Sequence, residues 1–260
     1  MKKIVFFDID NTIWTPDQYI PPSAKNAIRA LRGNGHYAVL NSGRARGYIL
    51  DHELLSLGFD GIVAACGCYL EWNGKIIRND LIPQEVIEWT IAVLKENHLP
   101  QILEGPKSLY IDPEDFPTDP YYQSLKTRTG YEIPTIRDHT GPWEVNKLSV
   151  NQDGDGVEKC MDRLGQYYDL ISHAGRFMEL VPKGHSKATG MDDVCALLGI
   201  PVTETYAFGD SANDLAMLRH AGCGVVMGNG SCEAKEAADY ITDTLENDGL
   251  AKALCHFGLI

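Results

Sequence analysis

The chain of 260 residues contains no apolar run long enough to cross a membrane as a helix, which takes about 20 residues. Cationic side chains are scarce: 23 Lys and Arg stand against 36 Asp and Glu, a formal net charge of -13. Nucleic-acid binding depends on Lys and Arg to neutralise phosphates, so this balance argues against an extended nucleic-acid surface. It still allows a local cationic pocket for a small phosphorylated metabolite. Cysteine is limited to seven residues, an odd number without the spacing of a secreted disulfide framework, which points to a reducing compartment. His185 has no second His or Cys at ligand spacing and is expected in a loop; the two thiols of Cys66-Gly67-Cys68 are too few for a metal site. There is no internal repeat and no low-complexity linker. The start, Met1-Lys2-Lys3 with few apolar residues before Asp8, is too short for a signal peptide. The expectation is a soluble cytoplasmic protein with no membrane, nucleic-acid or obligate protein partner.

What is present is an alternation of strand and helix signals. Ile4–Phe7, Tyr37–Leu40 and Gly61–Ala65 read as strands, separated by helices over Pro22–Arg32 and Gly47–Leu57. The first helix has a cap candidate in Ser23 and apolar Ala24, Ala27, Ile28 and Leu31 at helical spacing. Such alternation implies parallel βαβ units, and hence an α/β fold with a Rossmann-like parallel sheet. The pattern changes after about residue 80, with a helix over Pro83–Asn97. Short segments follow at Gln101–Leu103, Ser108–Ile111, Asp119–Arg128 and Lys147–Asn151, then a helix over Gly156–Tyr167 and strands at Leu170–Ser172 and Phe177–Leu180. Alternation resumes with a helix over Lys187–Leu198, a strand at Thr205–Phe208, a helix at Leu215–Ala221, a strand at Gly224–Met227, a helix at Cys232–Ala238 and a strand at Tyr240–Thr242. The economical division is a core of residues 1–80 and 183–260, interrupted by an α+β domain of residues 81–182.

Four elements carry chemistry, each at an expected strand or helix end. Asp8-Ile9-Asp10-Asn11-Thr12 follows the apolar run Ile4–Phe7, which suits a buried central strand whose carboxyl end opens on a ligand crevice. Two Asp one residue apart are also common turn formers, but a carboxylate there can attack phosphorus while its neighbour handles protons. Leu40-Asn41-Ser42-Gly43-Arg44 offers a hydroxyl and a glycine-flanked backbone to a phosphate at the same sheet edge, with Arg44 as a clamp or a surface charge. Lys187, at a helix start, can reach a phosphoryl group and offset the charge of Asp8; Lys183 competes for that role. Gly209-Asp210-Ser211-Ala212-Asn213-Asp214 again sets acids after an apolar strand, and Asp8 with Asp210 fits the oxygen ligands that Mg²⁺ prefers. Asn213 and Asp214 also read as a helix cap and a helix-dipole partner.

Together these elements resemble the haloacid dehalogenase (HAD) superfamily, in its Cof-type branch of cap-bearing sugar and metabolite phosphatases. The resemblance extends to Gly224–Asn229, Ala237–Thr242 and Asn247–Leu250, and so covers the whole core. It implies a HAD-like core with an inserted C2-type cap, and a Mg²⁺-dependent phosphohydrolase working through an aspartyl-phosphate. Asp8 would attack phosphorus; Asp10 would protonate the leaving oxygen and then activate water. Mg²⁺ would bind Asp8, the Asp10 carbonyl and Asp210, while Ser42, Gly43, Lys187 and Asn213 would hold the phosphoryl group, with Arg44 and Asp214 behind them. Asn11 stands where the superfamily more often has glycine, and Cys66-Gly67-Cys68 where relatives tend to have Asn-Gly-Ala. Small phosphate monoesters, sugar phosphates first, are the expected substrates. A sugar phosphomutase and a non-catalytic phosphometabolite-binding protein are the competing readings. Tyr121, Tyr122, Trp143, His173, Arg176 and Glu179 are candidates, by residue type, to contact the leaving group.

Overall fold

Ile4–Phe7 is wholly buried and forms a central strand, paired in parallel with Tyr37–Asn41 on one side and Thr205–Gly209 on the other. The computed structural model describes residues 2–117, 120–152, 156–172 and 177–260, apart from the side chains of residues 120, 121 and 128. The strand lies within an eight-stranded sheet ordered Tyr240–Ile241, Cys223–Val226, Thr205–Gly209, Ile4–Phe7, Tyr37–Asn41, Gly61–Ala64, Tyr69–Trp72 and Lys75–Asn79. The first six run parallel, and Tyr69–Trp72 turns back antiparallel on Gly61–Ala64. Successive strand residues face opposite sides. Ile4 and Phe6 join Val39, Val63, Ala207, Met191, Val194 and Met217 in one apolar cluster, while the Phe7 ring packs 5.2 Å from Phe208 and 6.3 Å from Phe59. A continuous apolar run is therefore what this position demands.

The Pro22–Gly33 helix buries Ala24, Ala27, Ile28 and Leu31 as their spacing requires. Its cap differs from expectation: Pro21 is the N-cap and Pro22 the first helical residue, so Ser23 lies inside the helix and makes no capping bond. Proline at that position has its φ preset and loses no needed N–H. The Lys187–Leu198 helix is bounded on both sides. Ser186 and Thr189 form a reciprocal capping box, and Gly199 ends the helix at φ 63°.

The chain divides into two units, one of Met1–Gly43, His52–Ile77 and His185–Ile260, the other of Arg44–Asp51 and Arg78–Gly184. Residues 44–51 thus leave the expected core, and the continuous helix expected over Gly47–Leu57 is instead a 3₁₀ turn at Arg46–Tyr48 and a short helix at His52–Leu55. The cause is local packing within the second unit. Gly47 N donates to Gly105 O at 3.2 Å, Tyr131 Oη donates to Gly47 O at 3.3 Å, and Tyr48 packs among Ile102, Leu109, Ile111 and Phe116. A Cβ at Gly47 would lie 2.6 Å from Ser108 N, so glycine is required by close approach.

The second unit has a five-stranded antiparallel sheet ordered Leu109–Ile111, Gln101–Glu104, Lys147–Asn151, Phe177–Pro182 and Tyr168–Ser172. Leu103, Leu148, Val150, Met178 and Leu180 share a core with Ile87 and Leu94 of the Gln84–Glu96 helix and Val157 and Cys160 of the Gly156–Leu164 helix. On the opposite face Lys147 Nζ lies 2.6 Å from Glu179 Oε1 and 3.4 Å from Glu104 Oε1, all three side chains buried. Of the residues named for the leaving group, Tyr122 and Trp143 sit in apolar clusters and Glu179 in this ion cluster. The Tyr121 side chain, His173 and Arg176 lie outside the described residues.

The strands Tyr69–Trp72 and Lys75–Asn79 and the Gly249–His256 helix lie outside the expected elements. Asn73-Gly74 between the strands, with φ 48° and 74°, is a recognised hairpin signal. Among the described residues, no helix is long and apolar enough to cross a membrane.

Candidate active site

Asp8 is the first residue beyond the buried Ile4–Phe7 strand. Its N–H donates to Phe208 O at 2.9 Å, so the sheet ladder still holds its backbone while its carboxylate leaves the core, 4% exposed. The chain then turns tightly, the Ile9 carbonyl accepting from Ile13 N at 3.0 Å and Trp14 N at 3.2 Å, with Asn11 at φ 55°. Asparagine is among the few residues that accept that conformation readily. Trp14 Nε1 donates to Asp10 Oδ1 at 3.0 Å, Asn229 Nδ2 donates to Asn11 O at 2.9 Å, and Asn11 Nδ2 reaches Asp210 Oδ2 at 3.4 Å.

Asp210 follows the parallel strand Thr205–Gly209 at the same sheet edge. The chain turns back there, and the Asp214 carboxylate Oδ2 accepts from the N–H groups of Asp210 at 2.8 Å and Ser211 at 3.0 Å. A Cβ on Gly209 would lie 2.5 Å from Asp214 Cγ, so this return needs glycine. Asn213 is half-buried, its Oδ1 accepting from Ser211 Oγ at 3.0 Å.

Lys187, first residue of its helix, has no exposed side-chain surface; its Nζ donates to Asp8 Oδ1 and to Asp214 Oδ1, both at 2.6 Å. One ammonium thus joins the end of the Ile4–Phe7 strand to the loop that follows Thr205–Gly209. The close approach of the helix start depends on two glycines. A Cβ at Gly190 would lie 2.4 Å from Val63 Cγ1, and one at Gly67 2.4 Å from Ser186 O. The Cys66 N–H donates to Ser42 O at 3.1 Å, so the Ala65–Gly67 turn links the Ser42 loop to the lysine helix, with Ala65, Cys66 and Gly67 all at positive φ. Ser42, 1% exposed, lies one residue past the strand paired with Ile4–Phe7, and Gly43 beside it is buried. Arg44 belongs to the second unit, its guanidinium 4.5 Å from the Tyr48 ring.

The charges do not balance. Carboxylate oxygens of Asp8, Asp210 and Asp214 lie within 4.8 Å of one another, and Lys187 is the cation among them. Burial holds the Asp8 pKa well above the usual carboxylate range, with Lys187 opposing and Asp214, Asp210 and Asp10 adding to the rise. Burial, then Asp214, pushes Asp210 up to about 7. For Lys187 burial favours the neutral amine, but Asp214 and Asp8 together prevail and its pKa is raised. Such a buried, oxygen-only, anion-rich cluster has the donor chemistry of a hard divalent cation. Both Asp214 oxygens are already taken by protein donors, so coordination capacity resides chiefly in Asp8 and Asp210.

Asp8, Lys187, Asp210 and Asp214 are therefore brought together, and Ser42 and Gly43 follow directly on a neighbouring strand. Asp214, expected as a helix-dipole partner and a second-rank site residue, is the buried acceptor around which the acidic loop folds. The contacts of Asn11 and Asn229 went unforeseen, since nothing in local spacing pairs residues so far apart in the chain.

A family model of haloacid dehalogenase-like hydrolases matches residues 5–254. YkrA of Bacillus subtilis (strain 168), named as a phosphatase, is 30% identical over 262 residues, covering 100% of this chain and 99% of its own. YitU of the same organism, named as a 5-amino-6-(5-phospho-D-ribitylamino)uracil phosphatase, is 25% identical with 96% of each chain covered. Among solved structures, the HAD subclass IIB sugar phosphatase BT4131 is similar with a TM-score of 0.85 and 27% identity over 100% of both chains. With an acid-and-lysine cluster at the carboxyl edge of a parallel sheet, and these matches along its length, the chain belongs to the haloacid dehalogenase-like hydrolase family.

Proposed function

We propose that the protein is a Mg²⁺-dependent phosphohydrolase of small phosphate monoesters that works through a phosphoryl group carried on Asp8. The observation that carries this reading is the buried Asp8 carboxylate with the Lys187 ammonium 2.6 Å away, itself anchored on Asp214. Mg²⁺ held by the Asp8 carboxylate, the Asp10 carbonyl and Asp210 would offset negative charge on the phosphoryl oxygens. Asp8 attacks phosphorus, the P–O bond to the leaving group breaks, and Asp10 delivers its proton to the departing oxygen. Asp10 then takes a proton from water as that water cleaves the acyl phosphate, returning the Asp8 carboxylate and inorganic phosphate. Trp14, donating to Asp10 Oδ1, holds that carboxyl in place. Lys187, Ser42, Gly43 and Asn213 orient the phosphoryl oxygens, since phosphoryl transfer requires positioning and charge neutralisation above all.

Sugar and polyol phosphates are the proposed substrates, supported by the names of BT4131 and YitU. The Arg78–Gly184 segment with residues 44–51 is the proposed cap that selects the leaving group. The test is phosphate release by purified protein with Mg²⁺ across sugar, nucleotide and cofactor phosphates. Turnover of sugar phosphates above the other classes is expected; no release from any of them would reject the reading, and transfer of the group back to sugar would make the protein a mutase.

A further inference from the structure

Asn41 ends the Tyr37–Asn41 strand, one residue before Ser42, and is fully buried. Its Nδ2 donates to the Lys187 carbonyl at 3.0 Å and lies 3.5 Å from Met217 Sδ. One amide therefore touches the helix that begins with Lys187 and the helix that follows Asp214. Its Oδ1 is buried without a hydrogen-bond partner among the described residues. A buried orphan acceptor is destabilising, and a leucine, which has the same branched heavy-atom skeleton, would remove it. An asparagine at this position thus calls for a use of its donor end.

We infer that Asn41 is a positioning residue for Lys187; the inference rests on the phosphohydrolase reading above. A lysine has a flexible four-carbon stem, and a first helical turn opens more readily than the middle of a helix. The Asn41 amide fastens the main chain of that turn to the strand that delivers Ser42, so the ammonium and the hydroxyl are placed from one rigid support. The Lys187 carbonyl can accept this bond in addition to the helical one, because it carries two lone pairs. The capping box and the Gly67 and Gly190 approaches fix where the helix starts; Asn41 fixes the residue that matters.

The decisive variant is Asn41→Leu, assayed with p-nitrophenyl phosphate and saturating Mg²⁺. We expect a thermal midpoint equal to or above that of the native protein, with kcat lowered about tenfold or more and KM changed less than about threefold. A purely structural asparagine would give a lower midpoint and an unchanged kcat per folded molecule, which would overturn the inference. In a Lys187→Ala background, Asn41→Leu should cause no further loss; an additive loss would place the effect elsewhere and also overturn it. Should the leucine variant not fold, Asn41→Ser serves the same cycle. A second readout does not depend on turnover: the ¹⁵N signal of the Lys187 ammonium, assigned by its loss in Lys187→Met, should broaden or shift in the Asn41 variant. An unaltered signal would reject the role of Asn41. If the native protein releases no phosphate, the functional reading fails while this signal still decides the positioning.

Discussion

Lys187 Nζ and Asp214 Oδ1 stand 2.6 Å apart, and neither side chain has exposed surface. The pair ties the helix start to the acidic loop, because the other Asp214 oxygen holds the N–H groups of Asp210 and Ser211. Asp214→Ala would leave a buried ammonium with Asp8 as its remaining carboxylate and strip two backbone donors of their acceptor. Breaking a buried ion pair costs about 3–5 kcal/mol, and a loss of that order is expected in urea unfolding, with kcat falling at least about tenfold. An unfolding midpoint like that of the native protein would contradict this account.

Asp8→Asn separates chemistry from stability. Loss of the proposed nucleophile should lower kcat by about a thousandfold or more. Burial disfavours the ionised carboxylate, so the neutral amide should leave the thermal midpoint unchanged or raise it, despite one fewer partner for Lys187. Phosphate release and thermal melts on the same preparation check both halves.

Asp210 predicts an unusual pH dependence for the metal-free protein. Its folded pKa of about 7 lies above the ordinary value of 3.8, so between these the folded state binds more protons than the unfolded one. Its contribution to stability is therefore present at low pH and is lost as pH rises through 7. From pH 5 to pH 8 the loss from this group is on the order of 2–3 kcal/mol. Urea unfolding in EDTA should show that decline, Asp210→Asn should lessen it while buried Asp8 continues to contribute in the same direction, and Mg²⁺ should oppose it by favouring the ionised form. A decline of equal size in the Asn variant would place its origin in other groups.

Gly190→Ala should act on the lysine from a distance. The new methyl would meet Val63 Cγ1 at 2.4 Å and push the first turn of the helix off the sheet. Overpacking of this kind costs about 1–3 kcal/mol. A lower thermal midpoint together with a reduced kcat is expected; an unchanged kcat would mean that Lys187 keeps its reach when its helix shifts.

Much of the catalytic core was legible because its signals are local. The apolar run Ile4–Phe7 fits a strand buried on both faces, and Gly209 before four polar or acidic positions marks a turn at a strand end. The helix expected over Lys187–Leu198 forms with those bounds. What the pattern did not disclose depends on contacts between distant segments. Asn41 looks like the polar end of a strand until Lys187, 146 positions later, is seen above it. Asp214 reads as a helix-dipole partner behind the site, and only the folded chain reveals that it receives a lysine. The Gly47–Leu57 stretch has helix-like periodicity, which the tight approach of Gly47 to Gly105 and Ser108 overrides.

That approach bears on how the protein can be rebuilt. Because Arg44–Asp51 belongs with Arg78–Gly184, the polypeptide passes between the two units four times. Replacing 78–184 alone with the matching segment of a relative would orphan Tyr48 and the Gly47 backbone from the partners that bury them. The smallest transferable unit is a discontinuous one, and the two stretches must be exchanged as a matched set.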